Sequence, residues 1–180
     1  MRILLTSMLL VLFQFSVQAA LPGDSVYQLN SLWQDSHNNP LKMADLAGKK
    51  QIVALIYTDC ITACPIIVSD MKAIQQALTP KQQAQMGFVL VSLTPARDTP
   101  KIMRHFANKR ELDEHWSLLS SKDEDVRTLA MALNIQYMGL PNGEVAHSNT
   151  ITVLDEQGRL QLQQVGMPGG PEALLKKMFN

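Results

Sequence analysis

The chain lacks the features that mark several broad classes of protein. Its 180 residues contain only two cysteines and no low-complexity stretch, and 46% are hydrophobic against 18% charged. That composition is typical of a globular protein rather than a disordered one. Charge of one sign is not in excess either, since 16 basic and 16 acidic residues give a formal net charge of zero. Nucleic-acid binding usually requires a clustered basic surface, so no nucleic-acid partner is expected.

Residues 1–19 are predicted to be a cleaved signal peptide. A positive start precedes an apolar run at residues 3–17, and Val17 and Ala19 supply the small side chains of a cleavage site. A retained membrane anchor is the alternative, but the run is shorter than the ~20 residues of a spanning helix and contains Gln14. We therefore expect an exported protein, in the periplasm or at the outer face of the inner membrane, with residues 20–180 as one domain. Membrane contact is expected only through a partner or a retained N-terminal segment.

The pattern of apolar residues predicts strands that alternate with helices. Nearly continuous apolar runs are typical of buried central strands, and apolar residues three and four positions apart indicate amphipathic helices. This order predicts a layered α/β domain, with a central mixed sheet flanked by helices and a C-terminal β-hairpin and helix. The predicted strands cover residues 51–57, 87–93, 150–154 and 159–165, and the predicted helices cover 67–78, 100–110, 126–133 and the segment from Pro171.

The two cysteines lie where the first of these strands meets its helix. Three residues separate Cys60 from Cys64, so both sulfurs point to one face if the segment enters the helix. A helix N-terminus lowers the pKa of a thiol and favours the thiolate, the form that binds metals and attacks disulfides. The pair is predicted to be two soft metal ligands or a redox-active dithiol. A structural disulfide is the alternative, because oxidation is the default for an exported protein.

His147 is the candidate third ligand among four histidines. It lies just before the predicted strand at 150–154, and in such a sheet neighbouring loops can bring it next to Cys60. The other three histidines lie in a polar turn, a predicted helix and a polar connection, positions typical of surface or packing residues. They are His37, His105 and His115.

Copper suits a site made of Cys60, Cys64 and His147. The thiolates favour Cu(I), and the imidazole extends the set toward Cu(II). A structural zinc site requires four ligands, and the sequence offers no obvious fourth cysteine or histidine. An open site also suits a delivery protein, because the ligands of the recipient must reach the metal. The methionines beyond the leader are scattered and are predicted to fill the core rather than to bind copper. They are Met43, Met71, Met86, Met103, Met131, Met138, Met167 and Met178.

Three motifs together resemble the SCO/SenC family of thioredoxin-like copper proteins, which is associated with assembly of the binuclear copper centre of cytochrome c oxidase. Residues 57–65 are similar to the family's Tyr-Thr-x-Cys-x-x-x-Cys-Pro element, and residues 92–100 to its Asp-Pro-x-Arg-Asp-Thr-Pro loop. His147-Ser148 and the strand that follows are similar to its metal-histidine segment. The chain departs from many members at Ile61, where they have proline, and at Thr94, where they have aspartate.

The resemblance implies a thioredoxin-like fold in which Cys60 and Cys64 are thiolate ligands of copper and His147 is the third ligand. The implied function is that of a non-enzymatic metallochaperone that delivers copper to, or prepares, the copper centre of cytochrome c oxidase. Its expected partner is the copper-bearing subunit of that oxidase or another copper protein. Asp98 is expected to shape its loop or the helix start rather than to bind metal.

Two enzymatic functions remain as alternatives. In a thiol-disulfide reductase, Cys60 and Cys64 would form a redox-active dithiol that keeps the copper-ligand cysteines of a partner reduced. The three residues between the cysteines count against general disulfide exchange, for which two are usual. A thioredoxin-like peroxidase would need an arginine that activates its cysteine, and Arg97 is the candidate.

Overall fold

The computed structural model describes residues 20–179, in which strands and helices alternate along the chain. In this part of the chain the strands are β1 (Leu32–Asp35), β2 (Pro40–Lys42), β3 (Lys50–Ile56), β4 (Met86–Ser92), β5 (Trp116–Ser120), β6 (Tyr137–Gly139), β7 (Val145–His147), β8 (Thr150–Leu154) and β9 (Leu160–Val165). The α-helices are α1 (Ala63–Ala77), α2 (Pro80–Gln83), α3 (Pro100–Lys109), α4 (Asp123–Ala132) and α5 (Gly170–Phe179), and short 3-10 helices cover Val26–Gln28 and Met43–Leu46.

Seven of the strands form one mixed sheet in the order β2-β1-β5-β4-β3-β8-β9. The central strands β3, β4 and β5 are parallel, and the strands on both flanks join them antiparallel. Parallel neighbours need a crossover, which α1 provides between β3 and β4. Ile56 at the end of β3 is paired with Ser92 at the end of β4, so the loops that follow these strands meet at one edge of the sheet.

The sheet is covered on both faces because its central strands are apolar throughout. Every residue of β3 after Lys50 is buried. Successive side chains of a strand point to opposite faces. Ile52 and Ala54 accordingly share one core with α1 and α5, whereas Val53 and Leu55 share the other with α4. Layers of helices on both sides of the sheet follow from this burial.

The predicted fold class is confirmed, including the mixed central sheet and the C-terminal hairpin β8-β9 with its final helix α5. Helix α3 begins where the sequence predicts, at Pro100, and the Thr99 hydroxyl caps it by accepting a hydrogen bond from the Ile102 N–H at 3.4 Å. Most predicted boundaries differ from the observed ones by one or a few residues. Apolar periodicity therefore predicts the layered α/β architecture, although it does not predict every strand.

Three strands are missing from the prediction. The sequence predicts a polar connection at β5, because Ser117 and Ser120 interrupt the apolar run of this strand. The strand is nevertheless central, between β1 and β4. The hairpin β6-β7 was also not predicted, since its strands have three residues each and lie outside the main sheet.

The prediction that the methionines fill the core is correct for Met43, Met71, Met86, Met103 and Met178, which are all at most 3% exposed. It is wrong for two others. The side chains of Met131 and Met138 are 79% and 63% exposed, because each lies on the solvent side of a short element.

The predicted signal peptide, residues 1–19, lies outside the described residues. Within residues 20–179, none of the helices has the combination of length and apolar character that crossing a membrane requires.

Candidate metal centre

The two cysteines lie in the turn that joins β3 to α1. The Cys60 N–H donates to the carbonyl of Tyr57 at 3.2 Å, which closes the turn two residues before the helix cap. Cys60 therefore precedes the helix and only Cys64 lies in its first turn, so the condition under which both cysteines would share one helix face is not met. The sulfurs approach for another reason. The Cys64 N–H, at the helix N-terminus, donates to the Cys60 Sγ at 3.3 Å. Both thiols are free in the structure.

His147 reaches this turn from the small hairpin β6-β7. It was predicted in a loop, but it is the last residue of β7, where it pairs with Tyr137 across the small hairpin. Its Nε2 lies 3.6 Å from the Cys64 Sγ, and its Nδ1 lies 3.2 Å from the Ser148 carbonyl oxygen. A carbonyl can only accept, so Nδ1 carries the proton and the Nε2 lone pair is directed at the sulfur.

The structure thus brings together the three side chains that the sequence singled out. One ligand atom each from Cys60, Cys64 and His147 lies within 4.8 Å of the others. Within residues 20–179 no further histidine, cysteine, aspartate or glutamate joins this group. The remaining histidines lie elsewhere, His37 and His105 exposed and His115 beside Asp113 at 3.4 Å.

The two thiols have opposite tendencies to ionise. Burial opposes the Cys60 thiolate, but hydrogen bonds from the Cys64 thiol, from the backbone of Cys64 and Thr62, and from the Tyr57 hydroxyl outweigh it and lower the pKa of Cys60 to about 7. Burial and the hydrogen bond to Cys60 raise the pKa of Cys64 to about 12. The prediction of a lowered pKa therefore holds for Cys60 and is wrong for Cys64. Between these two pKa values the pair holds one proton, which stays on Cys64.

The imidazole of His147 is held in its neutral form. Burial lowers its pKa, and the hydrogen bond to the Ser148 carbonyl only partly opposes that effect. A neutral imidazole with a free Nε2 is the form that coordinates a metal ion.

Two residues to which the sequence motifs assign no role shape the electrostatics of the site. Tyr57 is 6% exposed, its ring lies edge-on to His147 with 6.0 Å between centroids, and its hydroxyl donates to Cys60. The positive charge of Arg110 acts on both thiols and favours their thiolates. Tyr57 directly follows β3 and could have been suspected from that position, whereas Arg110 is fifty residues from Cys60 and carries no local signal.

Asp98 fixes the cysteine turn to the loop after β4. The residue is 1% exposed, and its carboxylate accepts hydrogen bonds from the Thr58 N–H and hydroxyl and from the hydroxyls of Ser92 and Thr94. It lies outside the group of candidate metal ligands, as predicted, and Thr99 rather than Asp98 caps the helix. Asp98 therefore shapes the two loops that meet below the thiols.

Arg97 holds the hairpin that carries His147. Its Nη2 donates to the Gly143 carbonyl at the hairpin tip at 2.8 Å, and its guanidinium carbon lies 5.9 Å from the centre of the Tyr57 ring. These contacts contradict the assignment of Arg97 as the arginine that activates a peroxidatic cysteine, since the charge that acts on the thiols is that of Arg110.

The donor set fits a soft metal ion. Two sulfurs and one imidazole nitrogen suit Cu(I), and the nitrogen makes Cu(II) accessible as well. A structural zinc site would need a fourth protein ligand, which the described residues do not place here.

Comparison with known proteins agrees with this geometry. A family model described as SCO1/SenC matches residues 27–178. A curated protein of Stutzerimonas stutzeri, whose name offers it as a candidate copper-binding protein, is 24% identical over 71% of this chain. The chain spans 63% of the length of that relative.

Solved structures show the same fold. A SCO1/SenC family lipoprotein of Bacillus anthracis is 24% identical with a TM-score of 0.73, over 82% of this chain and 89% of its own. ScoI of Arabidopsis thaliana, solved with copper bound, is 17% identical with a TM-score of 0.72, over 82% of this chain and 95% of its own. These likenesses confirm the thioredoxin-like fold.

Alkylation should distinguish the two thiols. We expect iodoacetamide to modify Cys60 before Cys64, with a rate that rises to half its maximum near pH 7, because the pKa of Cys60 is lowered to about 7. An ordinary cysteine reacts with a midpoint of about 8.5. Peptide mapping of the reduced protein measures both rates. Tyr57→Phe removes one hydrogen bond to the thiolate and should move the midpoint upward, whereas equal reactivity of the two cysteines would contradict the assignment.

Asp98→Asn should destabilise the protein by about 2 to 4 kcal/mol, because an amide places a donor among buried donors and leaves several without a partner. Chemical denaturation measures the free energy of unfolding. Asp59→Asn is the matched control, since Asp59 is exposed in the same turn and should change stability little. A similar loss in both variants would show that Asp98 does not hold the loops together.

Arg97→Ala should loosen the hairpin without unfolding the protein. Hydrogen exchange of the amides at residues 137–147 should quicken several-fold, because one hydrogen bond and the contact with Tyr57 are lost. Arg104→Ala removes an exposed arginine from α3 and serves as the control. Unchanged exchange in Arg97→Ala would mean that the hairpin is held without this side chain.

Proposed function

The chain belongs to the SCO1/SenC family, and from that premise we propose that it is an exported copper-binding protein that delivers copper to, or prepares, the copper centre of cytochrome c oxidase. The observation that carries the proposal is the convergence of Cys60, Cys64 and His147, whose ligand atoms lie within 4.8 Å of one another. The names of the relatives from Stutzerimonas stutzeri and Arabidopsis thaliana support copper as the ion. The lipoprotein name of the Bacillus anthracis relative supports export.

The protonation of the site suits uptake of a soft cation. Because the pKa of Cys60 is about 7, roughly half of the molecules carry the thiolate at neutral pH, and His147 already offers a lone pair, so two donors are accessible before the ion arrives. Cys64 holds its proton and releases it when the ion takes its place. The free energy needed to ionise Cys64 lowers the affinity of the site for the copper ion.

Release follows from the same small donor set. Three protein ligands leave a coordination position open, so a ligand of the recipient can bind the ion before this protein releases it. His147 lies on a hairpin outside the main sheet, whereas both cysteines adjoin the sheet edge. Loss of the imidazole first, and of the thiolates afterwards, is the order of release that this arrangement favours.

A thiol-disulfide reductase is the second candidate, and the lowered pKa of Cys60 favours it. A thiol attacks disulfides best when its pKa is near the ambient pH. The Cys60 thiolate would attack a disulfide of the partner, forming a mixed disulfide and releasing one partner thiol. Cys64 would then displace the second thiol, so the partner disulfide is reduced as the Cys60-Cys64 disulfide forms. His147 is not needed in this reaction.

Copper binding by variants separates the two functions. Reduced protein should bind one copper ion per chain, and the Cu(II) form should show thiolate-to-copper charge-transfer bands. Cys60→Ser, Cys64→Ser and His147→Ala should each alter or abolish these bands and weaken affinity at least about tenfold, because each removes a donor. Metal analysis and absorption spectroscopy are the measurements.

His37→Ala is the control for loss of an exposed histidine and should bind copper normally. Binding that is indifferent to His147, together with reduction of a disulfide substrate that needs both cysteines, would favour the reductase over the copper protein.

A further inference from the structure

A groove opens beside Cys60 on the side of α1 and α3. Its volume is about 490 Å³, and its walls include Cys60, Ile61, Ile102, Phe106, Lys109 and Arg110. This surface, here called the Ile61-Arg110 groove, lies on a different wall of the site from the hairpin of His147, which does not line it. A molecule in the groove would therefore contact Cys60 without passing His147.

Two apolar side chains of the groove are exposed to solvent. The side chain of Ile61, next to Cys60, is 85% exposed, and that of Ile102 is 42% exposed. A single exposed isoleucine is ordinary on a protein surface. Two that line one groove beside a reactive thiol form a local apolar surface that a partner can cover.

Two basic residues also line the groove. They are Lys109, the last residue of α3, and Arg110, which follows it directly. Helix α3 contains no acidic residue, and its other cations, Lys101 and Arg104, lie outside the groove. None of these cations is within 4.0 Å of a carboxylate in the described part of the chain, where the ion pairs involve Lys50, His115 and Arg159. Asp59 is the acidic residue of the groove wall. Lys109 and Arg110 thus outnumber the one acidic residue of the groove, and neither is paired with a carboxylate in the described residues.

The guanidinium of Arg110 is fixed in position and has unused hydrogen-bond donors. Its guanidinium carbon lies 3.6 Å from the centre of the Phe106 ring, and its own carbonyl accepts a hydrogen bond from Lys72 Nζ at 2.7 Å. No hydrogen bond from the guanidinium to another side chain or carbonyl occurs within residues 20–179. A guanidinium fixed by stacking, with unused donors, favours a carboxylate in the groove.

We propose that the Ile61-Arg110 groove docks an acidic, apolar segment of the protein that exchanges copper or disulfides with Cys60. A carboxylate of the segment pairs with Arg110, and an apolar side chain of the segment covers Ile61 and Ile102. Charge complementarity to Lys109 and Arg110 favours this occupant over a cationic segment. The inference rests on the proposed function only in requiring that a partner protein come to Cys60.

Two activated peptides provide the test. Both present Leu-Cys-Leu with the cysteine as a 2-thiopyridyl disulfide, one flanked by glutamates and the other by lysines. The Cys60 thiolate attacks the peptide sulfur, so the protein-peptide S–S bond forms as the peptide-pyridyl bond breaks and 2-thiopyridone leaves. The initial rate of its release is measured for the full reduced chain at low salt.

The ratio of the two rates reports docking. Dividing the two rates for one protein removes the intrinsic reactivity of its thiol. Comparing this ratio between two proteins then removes the intrinsic reactivity of the two peptides. Arg110→Gln should lower the acidic-to-basic ratio roughly threefold to tenfold, and added salt should lower it in the wild type. Ile61→Ser should slow both peptides and leave the ratio unchanged. Lys81→Gln, an exposed change on α2, should alter neither quantity.

Three results would overturn the proposal. One is a ratio that is the same in the wild type and in Arg110→Gln. Another is a ratio that falls equally in Lys81→Gln, which would show a general charge effect. The third is self-association of the wild type in sedimentation that Ile61→Ser abolishes, since the groove would then belong to a second copy.

The outcome is separate from that of the copper assay. If copper binding is normal but the acidic-to-basic rate ratio does not depend on Arg110, the docking proposal is wrong and the copper proposal stands. An Arg110-dependent ratio without copper binding would keep the docking site and assign it to a dithiol reductase.

Discussion

The hydrogen bond from the Cys64 N–H to the Cys60 sulfur is the interaction on which the site depends. It exists because β3 ends just before a turn that delivers Cys60 to the first free amides of α1. Those amides, the Cys64 thiol and the Tyr57 hydroxyl stabilise a negative charge on Cys60, and burial together with that charge keeps the proton on Cys64. The same contact therefore places the sulfurs together and makes them chemically unequal.

Two residues of the loop after β4 fix the position of this turn relative to the rest of the site. Asp98 ties the turn to the loop after β4 from beneath, and Arg97 from the same loop reaches over Tyr57 to the hairpin tip at Gly143. Adjacent residues of one loop thus support the cysteines on one side and His147 on the other. Because Asp98 is buried and Arg97 is exposed, the cysteine side is the more rigid half of the site.

Much of this could be predicted from the sequence, because the signals are local. Apolar runs predicted β3 and β4, and the proline after Thr99 predicted the start of α3. Strand β5 was not predicted, because its serines interrupt the apolar run and the strand depends on its pairing with β1 and β4. The three candidate ligands were found by residue type and motif. The raised pKa of Cys64, the role of Tyr57 and the approach of Arg110 depend on burial and tertiary contacts, which no local pattern encodes.

The central claim is that Cys60, Cys64 and His147 bind one copper ion together. X-ray absorption spectroscopy of the copper-loaded protein, compared with His147→Ala and His37→Ala, tests it most directly. The account predicts two sulfur atoms and one imidazole nitrogen bound to copper in the wild type and in His37→Ala, and loss of that nitrogen in His147→Ala. An all-sulfur environment in the wild type, or an imidazole signal that survives in His147→Ala, would contradict it.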